Sequence, residues 1–67
     1  MKQKPNVQFD ARMLAAHTTG TMTAFRLRNN LTMPEVTARA KWLTKQSEEY
    51  RRQVKACLEE LLARLSQ

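Results

Sequence analysis

The sequence is poor in the residues that form covalent or metal-held scaffolds. Its 67 residues include one cysteine, one histidine, one glycine and two prolines. Because Cys57 cannot form an internal disulfide, a reducing compartment is favoured and we expect a cytoplasmic protein. His17 has no second ligand at metal-binding spacing, and Gly20 belongs to no phosphate-binding loop. The sequence therefore predicts no metal, no cofactor and no enzymatic activity.

Long apolar runs and acidic residues are scarce as well. No apolar segment approaches the roughly 20 residues that a membrane-spanning helix needs. Lys2 and Lys4 lead into polar residues rather than into the apolar core of a signal peptide. Six Asp and Glu stand against twelve Lys and Arg, which gives a formal net charge of +6. This excess suits an anionic partner such as nucleic acid, or simply a soluble basic surface.

The length and composition predict one small helical domain covering residues 1–67. Apolar residues make up 42% of the chain, and the few glycines and prolines favour helix. A chain of this size buries only about 60% of the surface that its unfolded form exposes. A monomer would therefore be marginally stable, and self-association is expected.

The strongest local signal opens the stretch 32–65. Thr32 and Glu35 have the spacing of a capping box, in which each side chain bonds the backbone N–H of the other residue. Pro34 lies in the first turn, where a missing N–H costs nothing. Leu31 and Val36 occupy the two positions of a hydrophobic staple. These features predict a helix that begins at residue 33.

The rest of this stretch is amphipathic. Its apolar residues fall on an arc of about 100° of a helical wheel, the width of a core-facing stripe. The arc contains Val36, Ala40, Leu43, Ser47, Tyr50, Val54, Cys57, Leu58, Leu61 and Leu65, and Leu62 widens it. Ser47 followed by two glutamates is also a plausible second N-cap. Two alternatives remain open: one helix over 33–65, or a break near 44–47 that gives two helices.

The N-terminal region, residues 7–31, is less regular. Residues 1–6 are expected to form a flexible basic arm. Asp10 is a plausible N-cap for a short helix over 11–17, and Gly20 fits the position after the end of that helix.

Residues 21–28 permit two structures. The alternation of apolar and polar residues is typical of a strand, whereas the absence of a helix breaker permits a helix. Asn29 and Asn30 then predict a turn, because asparagine tolerates left-handed backbone.

An unbroken helix over 33–65 would exceed what the N-terminal region can cover. Folded back from the turn at residues 29 and 30, residues 10–28 span under about 30 Å even when wholly helical. Residues 54–65 are then left uncovered, although they are the most apolar part. We expect a homodimer or another protein to cover them. The predicted interface residues are Val54, Leu58, Leu61, Leu62 and Leu65, with Trp42 as an anchor off the apolar arc.

With a break near 44–47, residues 23–62 resemble the ribbon-helix-helix DNA-binding family. Residues 24–28 look like its short strand, and Ser47 with the two glutamates resembles the start of its second helix. Proteins of this family are obligate dimers whose strands enter the major groove. The resemblance implies that Phe25 and Leu27 point inward and that Arg26 and Arg28 face DNA.

Two functions follow as expectations. The leading one is a dimeric, basic DNA-binding regulator or accessory protein. Arg26 and Arg28 would contact the nucleic acid, and Lys2 and Lys4 would add nonspecific attraction. The alternative is a small helical protein-binding module, such as an inhibitor, adaptor or co-chaperone. It would act through the apolar C-terminal helix and Trp42.

Overall fold

The computed structural model of the protein describes residues 3–67, which form four helices and no strand. The helices are α1 (Val7–Thr19), α2 (Met22–Asn29), α3 (Met33–Thr44) and α4 (Glu48–Leu65). The prediction of a mostly helical fold is confirmed. None of these helices combines the length and the apolar character needed to cross a bilayer. Lys2 lies outside the described residues.

Helix α1 is longer than predicted at both ends. Its N-cap is Asn6, whose Oδ1 accepts a hydrogen bond from the Phe9 N–H at 3.0 Å. The assignment of Asp10 as N-cap was wrong, since Asp10 lies inside the helix and is fully buried. Gly20 follows the helix in left-handed conformation with φ +75°, as expected. The Thr21 N–H then bonds the Ala16 carbonyl at 2.9 Å, which closes a Schellman motif.

Residues 22–29 form a helix, so the strand alternative for 21–28 is wrong. A helix bonds its backbone N–H groups within the segment, whereas a lone strand would leave them to a second chain. Asn30 ends α2 with φ +55°, as the predicted turn requires, and the Leu31 N–H bonds the Arg26 carbonyl at 2.9 Å. The strand implied by the ribbon-helix-helix resemblance is therefore missing from the described chain.

The stretch 33–65 is broken, and the two-helix alternative is correct. The Ser47 side chain accepts from the Tyr50 N–H at 3.1 Å and caps α4. The Gln46 side chain donates to the Trp42 carbonyl at 2.8 Å, which satisfies one of the last carbonyls of α3. These polar side chains end one helix and begin the next without glycine or proline.

Two apolar clusters share α1 between them. The first contains the buried residues Met13, Ala16, Phe25 and Val36, and the second contains Ala11, Leu43 and Val54. The turn at 45–47 brings α4 alongside α1, which is the main helix contact of the fold. The expectation that residues 54–65 lie uncovered is therefore wrong for the beginning of that stretch, where α1 covers Val54.

A buried polar network joins α1, α3 and α4. Asp10 is 0% exposed and Arg39 is 7% exposed. The guanidinium of Arg39 donates to both oxygens of Asp10, at 2.7 and 3.0 Å. The Tyr50 hydroxyl donates to Asp10 and accepts from the Asn6 N–H at 2.8 Å. Burial and the bond to Asp10 raise the pKa of Tyr50. We call Asp10, Arg39 and Tyr50 the polar hub.

Arg39 also holds the N-terminal segment. It donates to the Lys4 carbonyl at 2.8 Å and to the Gln3 side chain at 3.2 Å. Its guanidinium lies 3.9 Å from the centre of the Trp42 ring. Gln3 and Lys4 are therefore hydrogen-bonded to α3. The flexible arm expected over residues 1–6 stays a prediction.

Replacement of Arg39 by methionine should destabilise the protein severely. Arg39→Met leaves the buried Asp10 carboxylate without its partner, a change that costs about 3–5 kcal/mol. That loss is comparable with the whole stability of a small domain. Urea unfolding followed by circular dichroism measures it.

The matched control is Arg52→Met. Arg52 forms exposed ion pairs with Glu48 and Glu49, both at 3.0 Å. Exposed pairs contribute about 0–1 kcal/mol, so this variant should unfold close to wild type. Equal losses in the two variants would contradict the role assigned to the hub.

Candidate nucleic-acid interface

Helices α2 and α3 are joined by a short turn and both pack against one apolar cluster on α1. Eight residues of α2 are followed by Asn30, Leu31 and Thr32, and then by the twelve residues of α3. The left-handed Asn30 redirects the chain, and Leu31 packs against the first cluster. Phe25 from α2 and Val36 from α3 are both buried in that cluster. Both helices therefore bury a side chain against Met13 and Ala16 of α1.

The outer face of α3 is small, polar and basic. One side of the helix is buried through Val36, Arg39 and Leu43. The opposite side presents exposed residues, namely Pro34, Thr37, Ala38, Lys41, Thr44 and Lys45 just beyond the helix end. We call this set the α3 face. It contains two lysines, two threonines and no acidic residue.

The one acid of α3 is occupied by the cap of its own helix. Glu35 Oε1 accepts from the Thr32 N–H at 2.8 Å, and the Thr32 hydroxyl accepts from the Glu35 N–H at 3.3 Å. The capping box predicted from the sequence is confirmed. These hydrogen bonds hold the pKa of Glu35 below its ordinary value. Its carboxylate is bonded back to the start of α3.

The basic excess of the chain is confined to one part of the sequence. Residues 1–47 contain eight Lys and Arg and two acids, whereas residues 48–67 contain four of each. Both acids of the first part are engaged, Asp10 with Arg39 and Glu35 with Thr32. Helix α4 is therefore neutral overall, and the net charge of +6 belongs to the segment that holds α1, α2 and α3.

The arginines and the described lysine predicted to contact nucleic acid differ in their exposure. Arg28 is exposed on α2, whereas Arg26 is half-buried. The Arg26 Nε lies buried without a hydrogen-bond partner among residues 3–67. Lys4 is exposed, and its carbonyl accepts from Arg39. The structure thus adds the α3 face, with Lys41 and Lys45, to the predicted set.

The residues predicted to form a protein interface also differ in their exposure. Val54 is 1% exposed and packs against Ala11 and Leu43, so it cannot contact a partner. Leu58 and Leu61 are half-buried against the same cluster.

Accessible apolar surface remains at the end of α4. Leu62 is half-buried, and Leu65 is 66% exposed. Trp42 is half-buried with its ring against Arg39 and edge-on to Tyr50 at 5.7 Å, so much of its surface is used within the chain.

Sequence analysis missed the polar hub, although one signal was present. Arg39 falls between Val36 and Leu43, on the inward side of α3, where a charged residue needs a buried partner. Asp10 is likewise flanked by Phe9 and Ala11. A charge on an apolar stripe is thus a cue to look for its opposite charge on another helix.

The capping box should make stability depend on pH. A carboxylate whose pKa is lowered in the folded state stabilises the fold above its unfolded pKa, and this contribution is lost as pH falls through the folded pKa. Wild type should therefore melt above Glu35→Gln at about pH 6, and the difference should shrink towards about pH 3. Thermal melts at several pH values measure the difference, with Glu59→Gln as the control for loss of an exposed carboxylate. A difference that stays constant with pH would contradict the titration of Glu35.

No group of three His, Cys, Asp or Glu side chains in the described chain is placed to hold a metal ion. Comparisons of the chain with models of protein families, with curated proteins and with solved structures give no match.

Proposed function

We propose that this protein binds duplex DNA, with the α2–α3 unit docked on the duplex and α3 lying in the major groove. The observation that carries the proposal is the α3 face. It belongs to the second of two helices joined by a three-residue turn, and it has no acid. A short helix, a tight turn and a second helix that enters the major groove are the parts of helix-turn-helix proteins.

The first half of the α3 face suits contact with base edges. Pro34, Thr37 and Ala38 are small and exposed, so they let the helix approach the floor of the groove. The Thr37 hydroxyl can donate or accept a hydrogen bond, and its methyl group and that of Ala38 can contact the methyl of thymine. Met33, which is 46% exposed, adds an apolar contact at the start of the helix.

The second half of the face suits contact with phosphate. Lys41 and Lys45 are exposed and lie one helical turn apart. Lys4 on the N-terminal segment lines a pocket together with Ala38 of this face, and Arg28 is a further exposed cation on α2. Lysines that neutralise phosphates release counterions, which supplies much of the affinity of DNA-binding proteins.

We further infer that the protein acts as a homodimer through the end of α4. Leu62 and the exposed Leu65 lie on one side of that helix, next to the half-buried Leu58. Helix α4 has equal numbers of acids and bases, so two copies can approach without net repulsion. A two-fold dimer would present two α3 faces to two half-sites of one duplex.

Loss of the α3 lysines should weaken DNA binding and flatten its salt dependence. In Lys41→Ala with Lys45→Ala, the slope of log affinity against log salt should become shallower by about 1 for each lysine. Fluorescence anisotropy with labelled duplex DNA at several salt concentrations measures the slope. Arg26→Ala with Arg28→Ala measures the share of α2 in the same way.

The matched control is Arg52→Ala with Lys55→Ala, which removes the same charge from α4. This control should keep a slope within experimental error of wild type, because both residues belong to α4 and Arg52 pairs with Glu48 and Glu49 of the same helix. If the control and the α3 variant flatten the slope equally, binding depends on total charge and the proposed face is wrong. Absence of salt-dependent DNA binding by wild type would refute the function itself.

The dimer is tested by a charge at the end of α4. Leu62→Glu should sediment as a folded monomer at concentrations where wild type sediments as a dimer, because the carboxylate would have to be buried. Leu27→Glu is the control, since Leu27 is 76% exposed and lies on α2 rather than on α4. A wild type that sediments as a monomer at tens of micromolar would overturn the proposal.

A further inference from the structure

A second surface lies between α1, α2 and α4. These helices border an open groove of about 780 Å³ to which α3 contributes no residue. Its large apolar side chains are Phe9, Phe25, Leu61 and Leu65. Leu65 also belongs to the surface proposed for the dimer, so a bound helix and a second copy would compete for it. Phe9 and Phe25 pack against each other with ring centres 5.5 Å apart, so this part of the floor is rigid aromatic surface. The volume falls within the range of pockets that bind ligands, about 300–1,000 Å³.

Three arginines line this groove. They are Arg12, Arg28 and Arg64, one from each of its three helices, and all three are exposed. No acidic residue lines the groove itself, and Glu60 borders a small adjoining pocket that Arg12 and Arg64 also line. Within residues 3–67, none of these arginines lies within 4.0 Å of a carboxylate oxygen. The groove therefore combines an apolar floor with guanidinium groups that are available to an anionic partner.

We propose that this groove, hereafter the arginine groove, binds an acidic amphipathic helix of a partner protein. The apolar side chains of such a helix would lie on the phenylalanines and leucines of the floor, in the helix-in-groove mode of recognition. Its Glu and Asp residues would meet the arginines, whose planar guanidinium groups bind carboxylates through two parallel hydrogen bonds. Placement of the arginines on three different helices would fix the direction and register of the bound helix.

A second copy of the chain and a DNA duplex each fit the groove less well than an acidic helix does. A second copy docked groove to groove would bring six arginines together without an acid. The α4 helix of a second copy is neutral overall, so it does not complement the groove. A DNA duplex offers phosphates, but no apolar face for Phe9, Phe25 and Leu61. An acidic helix satisfies both the floor and the rim.

The experiment uses two synthetic helical peptides of about 18 residues, long enough to form helix in isolation. One has leucines at i, i+3, i+4 and i+7 spacing with glutamates on the flanks, and the other has lysines in place of the glutamates. Fluorescein anisotropy with the full chain should detect binding of the glutamate peptide and none of the lysine peptide. Arg12→Glu with Arg64→Glu should weaken the glutamate peptide by about tenfold or more.

Arg51→Glu with Lys55→Glu reverses the same number of charges on α4 outside the groove and should bind the glutamate peptide as wild type does. Ala24→Glu, which places an acid on the groove lining without changing any arginine, should also weaken it. Circular dichroism checks that each variant is folded.

Three results would each overturn the arginine groove: no binding of the glutamate peptide to wild type, equal binding of the lysine peptide, or equal losses in the groove and control variants. Arg28 is left unchanged because its contribution to DNA binding is tested separately with Arg26. A failure here leaves the salt slope of the α3 lysines untouched, so it is distinguishable from failure of the DNA-binding proposal.

Discussion

The structure depends on one buried ion pair between Asp10 and Arg39. Among residues 3–67 only eight apolar residues are buried, and five of them are alanine or valine. The single tyrosine of the sequence is half-buried beside them. In so small a core, the requirement that a buried charge meet its partner constrains the arrangement of helices more tightly than apolar contact alone. Arg39 satisfies it by facing α1, and Asp10 then receives the Tyr50 hydroxyl from α4. Three helices are thereby set around one carboxylate.

Features that depend on neighbouring residues could be predicted from the sequence. The capping box of Thr32 and Glu35, the left-handed Gly20, and the N-cap at Ser47 all follow from side chains within four residues of the backbone they bond. Features set by distant residues could not. Residues 22–29 have a two-residue alternation, yet tertiary packing of Phe25 against α1 selects the helix. The burial of Val54 depends on how the turn at 45–47 directs α4, so the sequence alone could not show that Val54 packs within its own chain.

Charged residues serve three separate purposes along this short chain. Asp10 and Arg39 are buried together, Glu35 holds the start of α3, and Glu48 and Glu49 pair with Arg52 on the exposed side of α4. The remaining cations of α1, α2 and α3 form no ion pair within residues 3–67. Apart from the half-buried Arg26, they lie either on the α3 face or in the arginine groove, which no α3 residue lines. The candidate site could be anticipated only as basic character, because the division into two surfaces requires the packing of the helices.

The hydrogen bonds of Arg39 and Tyr50 join residues that are far apart in the chain, with separations of 29 to 44 positions. Such contacts form only after long loops have closed. The chain therefore loses conformational entropy before these hydrogen bonds can stabilise it. The hub is consequently complete only when the N-terminal segment, α1, α3 and α4 have all docked. This predicts a single cooperative folding transition, without a stable intermediate in which α3 is positioned while α4 is detached. Any partner that stabilises one of these helices in place would stabilise the whole chain.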